Sequence, residues 1–167
     1  LWWVGKDGSR DRKLGEQEVA ELVATRAGIV AATKGGEVRL IRRTLERGWS
    51  SRLIARLNAA AWTATRAADG SIFIVTETQL LRVTQVGKVT ALHTGRWGKQ
   101  FGSGMGQVLI LSPFAPQSII VARTGDIFIG MNAVVVHLVP RHGGYDEEWL
   151  MPRTCVEPPA GGRPTTE

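Results

Sequence analysis

Apolar positions along this chain fall into short runs rich in Val, Ile, Leu and Thr, and each run is closed off by Gly or Asp within a few residues. Short β-branched runs between turn residues predict strands. The clearest stretch reads Trp62-Thr-Ala-Thr-Arg66, a turn at Ala68-Asp69-Gly70, Ser71-Ile-Phe-Ile-Val-Thr76, Gln79-Leu-Leu-Arg-Val-Thr-Gln85, a turn at Gly87-Lys88, and Val89-Thr-Ala-Leu-His93. Asp-Gly suits a tight hairpin because both positions tolerate a positive φ. This stretch predicts a four-stranded antiparallel meander.

The same plan recurs on either side. Upstream lie Glu21–Thr25, Ile29–Thr33, Glu37–Ile41 and Arg52–Leu57; downstream lie Ser118–Ala122, Ile127–Gly130, Ala133–Leu138 and Glu148–Met151. Aligned on Gly28, Gly70 and Gly125, the units are 42 and 55 residues apart. The units cover about 19–58, 59–95 and 118–152, and the longer spacing holds an insertion over 96–117 with a further strand candidate at Gln107–Ser112. Residues 1–156 are read as one β-rich domain, of which Leu1–Val4 is a stray strand. The stretch 157–167, rich in Pro, Gly and Thr, is read as a flexible tail.

A second reading of two segments is helical. Ser50–Trp62 has a Ser N-cap and apolar residues at 53, 54, 57 and 61, and Glu16–Ala27 has Val19, Leu22 and Val23 before Gly28. Helices at 16–27 and 51–62 would make the fold α+β and remove the first repeat.

The phrase Ala68-Asp-Gly-Ser-Ile-Phe-Ile-Val-Thr-Glu-Thr-Gln-Leu-Leu-Arg82 resembles the blade motif of bacterial sensor-type β-propellers, the two-component-regulator propeller repeats. In that family an Asp-Gly turn precedes an aromatic-containing strand and a Gly-Leu-Tyr-Arg-like strand. Thr124–Gly130 and Arg26–Thr33 are weaker copies, and Leu1–Gly8 is a truncated one. The chain departs from the pattern at Gln79, where the family has glycine, and at Asp126, which follows its glycine. The resemblance implies an all-β, propeller-like fold and a ligand-sensing role. Propellers close with about 4–8 blades, so three units are incomplete. Closure would come from an irregular fourth blade built of the stray strands, from oligomerisation, or from a larger chain.

Composition narrows the function classes. The chain has 167 residues, 43% hydrophobic and 22% charged, so it can bury a core of its own. No apolar run reaches the ~20 residues of a spanning helix, which argues against membrane insertion. Cys155 alone makes neither an internal disulfide nor a cysteine-based zinc site, and it does not distinguish one compartment from another.

The formal charge of +6 is concentrated. Residues 34–66 carry eight Lys and Arg against Glu37 and Glu46, and the rest of the chain balances. With strands at 37–43 and 51–57, Arg39 and Arg43 share one face and Arg52 and Arg56 share one face. Such a patch predicts an anion-binding surface, because guanidinium offers a planar fork to phosphate or carboxylate. No nucleic-acid-binding motif accompanies it, so nucleic acid is not the favoured partner.

Six tryptophans are available for ligand stacking, and Trp97, with Arg96 and Phe101 beside it in the glycine-rich insertion, is the ligand-facing candidate. Gly102-Ser-Gly-Met-Gly106 precedes a strand and lacks the Lys-Ser/Thr ending of a phosphate loop. His137, His142 and Asp146 are the weak metal candidates, their chemistry suited to a divalent ion if the last hairpin brings them together. No cofactor is implied, and there is no catalytic signature. The leading reading is a non-catalytic recognition or sensor module that binds a carbohydrate-like ligand or a protein partner through inter-strand loops. The alternatives are a polysaccharide-active hydrolase or lyase using His137, His142 and nearby carboxylates, and an anion- or nucleic-acid-binding α+β protein.

Overall fold

The computed structural model describes residues 2–4, 10–13, 18–44, 48–95, 97, 115–132 and 134–150. Among these residues there are fourteen strands and no helix. A two-stranded ribbon pairs β1 (Trp2–Val4) with β2 (Arg10–Lys13). Three four-stranded antiparallel sheets follow, each a meander in simple sequence order. The first sheet comprises β3 (Val19–Thr25), β4 (Gly28–Thr33), β5 (Glu37–Thr44) and β6 (Gly48–Arg56). The second comprises β7 (Thr63–Arg66), β8 (Ile72–Val75), β9 (Gln79–Val83) and β10 (Val89–Thr94). The third comprises β11 (Ser118–Val121), β12 (Ile127–Gly130), β13 (Val135–Arg141) and β14 (Gly144–Leu150). The tail at 157–167 and the strand candidate at 107–112 lie outside the described residues.

The three sheets stack face against face. Their first strands approach one another, β7 lying alongside both β3 and β11, and β10 meets β14 on the far side. This is the arrangement of successive propeller-like blades, and no sheet closes on itself.

The second sheet lies between the other two, and strand alternation explains how it fits there. All four residues of β8 are buried. Successive side chains of a strand point to opposite faces. Ile72 and Ile74 therefore pack with Val30, Val38 and Leu40 of the first sheet. Phe73 and Val75 pack with Ile119, Ile129 and Val136 of the third. A strand buried on both faces reads as a continuous apolar run, which is how Ile72–Val75 reads.

Neither segment with helical spacing is helical among the described residues: the first contains β3, the second begins in β6 and continues beyond Arg56 as irregular chain, and the same device explains both. The β3–β4 register shifts between Val19 and Glu21, and the β5–β6 register shifts so that Ile54 is an extra residue between Leu53 and Ala55. A β-bulge breaks the period of two. Ile54 and Leu57 then pack beside Ala55 against the core between the first two sheets, imitating a helical stripe. In β3 the supposed stripe is split: Val23 is buried, whereas Leu22 is exposed.

Ile74 touches no solvent. We expect Ile74→Ala to lower unfolding free energy by about 2–5 kcal/mol, read from urea titrations, and a loss well under that range would contradict the packing of β8 between two sheets.

Candidate functional site

Hairpin turns of adjacent sheets meet at one edge of the stack. The β3–β4 turn contributes Arg26 and Ala27, the β7–β8 turn contributes Ala68, Asp69 and Gly70, and the β9–β10 turn contributes Thr84 and Gln85. Between them lies a cleft of about 410 Å³. Its floor is apolar, made by Val30, Leu40 and Ile54 of the first sheet and Ile72 of the second. Beside the cleft, Gly87 of the β9–β10 turn closes against Ile54. It adopts φ 87°, and a Cβ there would stand 2.2 Å from the Ile54 carbonyl oxygen. Only glycine allows that approach of turn to bulge.

Three arginines rim this cleft: Arg26 from the first turn, Arg42 from β5 and Arg66 from the end of β7. All three side chains are exposed. Among the described residues none of them has a carboxylate partner within ion-pair distance. Asp69 also lines the cleft, but its charge is already committed. Its Oδ1 accepts hydrogen bonds from the Ser71 amide at 2.9 Å and the Ser71 hydroxyl at 2.6 Å. Its Oδ2 is ion-paired with Arg82.

That clasp recurs at one register position in all three sheets. Arg82 lies opposite Phe73 on the neighbouring strand, His137 lies opposite Phe128, and Arg39 lies opposite Ala31. Each of these three third-strand side chains lies against an acid. Arg39 donates to Glu37 at 2.9 Å, and His137 Nε2 lies 3.0 Å from Asp126. The His137 ring stacks on Phe128 with centroids 4.4 Å apart. His137 is therefore the counterpart of Arg82.

The metal triad suggested by the sequence does not assemble. His137 is engaged by Asp126 and, at 3.4 Å, by Glu148, while Asp146 is paired with Arg141 at 2.6 Å and His142 is exposed in the turn. No cluster suited to a metal ion forms among the described residues. The remaining histidine ties the second sheet to the third. His93 lies 2.9 Å from Glu147, which is only 7% exposed and also accepts from the Trp149 indole at 2.6 Å.

The arginine patch is likewise divided. The bulge at Ile54 inverts the alternation of β6, so Arg52 lies opposite Leu40 on the face turned to the second sheet, whereas Arg56 lies opposite Glu37 on the other face with Arg39 and Arg43. Glu37 binds both Arg39 and Arg56, the latter at 3.2 Å. The four arginines thus form no common surface.

Trp97 faces the core. It is 0% exposed, lies against Gly95 and His93, and donates its indole N–H to the Thr76 carbonyl at 3.1 Å. A buried indole with its donor satisfied is a packing residue. Arg96 and Phe101 lie outside the described residues.

The sequence reading missed the convergence of Arg26, Arg42 and Arg66. A signal was present in the repeats: Thr25-Arg26-Ala27-Gly28, Thr65-Arg66-Ala67-Ala68-Asp69-Gly70 and Ala122-Arg123-Thr124-Gly125 each place an arginine just before the first turn.

No protein-family model matches the chain, and no curated protein matches it in sequence. Solved structures do match in fold. The WD40 β-propeller domain of Doa1 is similar over 80% of this chain and 40% of its own, with a TM-score of 0.55 and 12% identity. Virginiamycin B lyase from Staphylococcus aureus is similar over 87% of this chain and 46% of its own, with a TM-score of 0.58 and 12% identity. The extracellular domain of the hybrid two-component system BT4673 from B. thetaiotaomicron is similar over 80% of this chain and 17% of its own, with a TM-score of 0.52 and 15% identity. The chain thus spans less than half the length of each, and the shared feature is β-propeller-type architecture.

The clasps predict how stability responds to acid. Ser71 hydrogen bonds, followed by the Arg82 charge, hold Asp69 below its ordinary value of 3.8. The Thr124 hydroxyl, followed by His137, lowers Asp126 in the same direction. A carboxyl whose folded pKa is depressed stabilises the fold fully above the unfolded pKa, and that contribution is lost as pH falls through the folded value. Asp69→Asn and Asp126→Asn should therefore lower the urea midpoint at pH 7, and the deficit should shrink at a second pH below 3.8. Deficits that stay constant between the two pH values would contradict the clasp.

Proposed function

We propose that this chain is a non-catalytic recognition module of the sensor-propeller kind, which takes a small ligand into the cleft between its first and second sheets. The observation that carries this reading is the cleft itself: its volume lies within the range of about 300–1,000 Å³ usual for small-molecule sites, and polar groups from three turns converge over an apolar floor. Binding residues are commonly carried on loops held by a rigid scaffold. The likeness of fold to the extracellular domain of a two-component system supports the sensor side of the reading.

The cleft lining also favours binding over catalysis. General acid–base chemistry needs a titratable group free to move a proton at the reacting atom. The carboxylate in the lining is Asp69, which is occupied by Ser71 and Arg82. His93 and His137 are engaged by carboxylates elsewhere in the fold.

A fragment screen followed by 1H–15N correlation spectra tests this reading. Ligands that bind should shift amides of Arg26–Gly28, Asp69–Ser71 and Thr84–Gly87 together. Shifts confined to the opposite edge, around Thr76–Gln79 and Met131–Val134, would overturn it.

A further inference from the structure

The rim of the cleft says what kind of ligand it takes. Arg26 and Arg42 belong to the first sheet and Arg66 to the second, so like charges face one cavity from both sides. A guanidinium stays charged at any ordinary pH. Charged groups near one another are ordinarily compensated in a folded protein, and this molecule compensates others nearby: Arg39 and Arg56 by Glu37, Arg82 by Asp69, Lys34 by Glu18. The rim arginines have no such carboxylate among the described residues, and the acid that does line the cleft is neutralised from outside it. The cavity therefore holds a net positive potential at its mouth over an apolar floor.

We propose, on the basis of the recognition reading above, that the cleft binds a small amphiphilic anion: one carboxylate or phosphate head with a compact apolar body. The head is held between Arg42 and Arg66, with Arg26 closing the rim, because guanidinium forks pair with planar carboxylate and with phosphate oxygens. The body covers Val30, Leu40, Ile54 and Ile72. A ligand so placed bridges two sheets and stabilises the fold in proportion to its occupancy. A polyanion fits poorly. It needs a continuous cationic track, whereas Arg43 lies on the opposite face of the sheet from Arg42 and Arg39 and Arg56 are held by Glu37.

Calorimetric titration of the full chain with four probes tests the proposal: phenyl phosphate, 3-phenylpropionate, the neutral 3-phenylpropanamide, and inorganic phosphate. The two aromatic anions should bind, and both the amide and bare phosphate should bind at least about tenfold more weakly. Arg42→Gln and Arg66→Gln should each weaken the aromatic anions by about tenfold. Far-UV circular dichroism and the urea midpoint should be unchanged, since neither arginine has an ion pair to lose among the described residues. Equal binding of amide and anions with amide shifts still at the three turns would overturn the anion inference and leave the recognition reading standing. Anion binding whose shifts lie away from the cleft would overturn both. A short DNA duplex that binds more tightly than either aromatic anion, with affinity falling steeply with salt, would overturn the small-ligand inference.

Discussion

The second sheet is apolar on both sides, and the rest of the molecule follows from that constraint. A sheet with one wet face needs a single partner; β8, buried along its whole length, needs two. Ile72 and Ile74 commit one face to the first sheet, and Phe73 and Val75 commit the other to the third. Apolar burial contributes roughly 25 cal/mol per Å², so exposing either face would cost more than any single surface contact here could offset. The stacking order and the adjacency of the three first strands are consequences of this alternation in four residues.

Within that stack the charged groups sort by position. The basic side chain on each third strand is paired with an acid of the same sheet, as Arg39 with Glu37, Arg82 with Asp69 and His137 with Asp126 show. Those groups stiffen turns and registers. The arginines next to the first turns are a different population, because they lie beyond the reach of the clasps, and in the first two sheets they border an open space. Register decides which side each basic group faces, so neighbouring arginines in sequence, such as Arg42 and Arg43, lie on opposite faces of the sheet.

Much of the architecture was legible in the chain. The Gly-punctuated repeats announce three four-stranded antiparallel sheets, and Asp69-Gly70 sits at the turn its residue types require. The helical alternative arose from a real ambiguity, since a β-bulge puts consecutive residues on one side and reproduces helical spacing over a few positions. Period-two reasoning across Ile54 therefore placed Arg52 and Arg56 together when the fold separates them. Trp97 was misread because its glycine-rich surroundings suggest a loop, whereas the indole folds back over Gly95 into the core. The cleft was not legible from spacing, because Arg26, Arg42 and Arg66 meet only when two sheets stack.

The contact between Gly87 and the Ile54 carbonyl bears on how such a site can diversify. Backbone meets backbone there, so this contact beside the cleft tolerates neither a side chain nor a shift of the bulge without moving the sheets apart. The rim consists of long side chains projecting from exposed positions, and exchanging one alters charge and reach while leaving the frame in place. Descendants of this sequence could therefore drift in what they recognise through single changes at the mouth, while the cavity behind it keeps its dimensions.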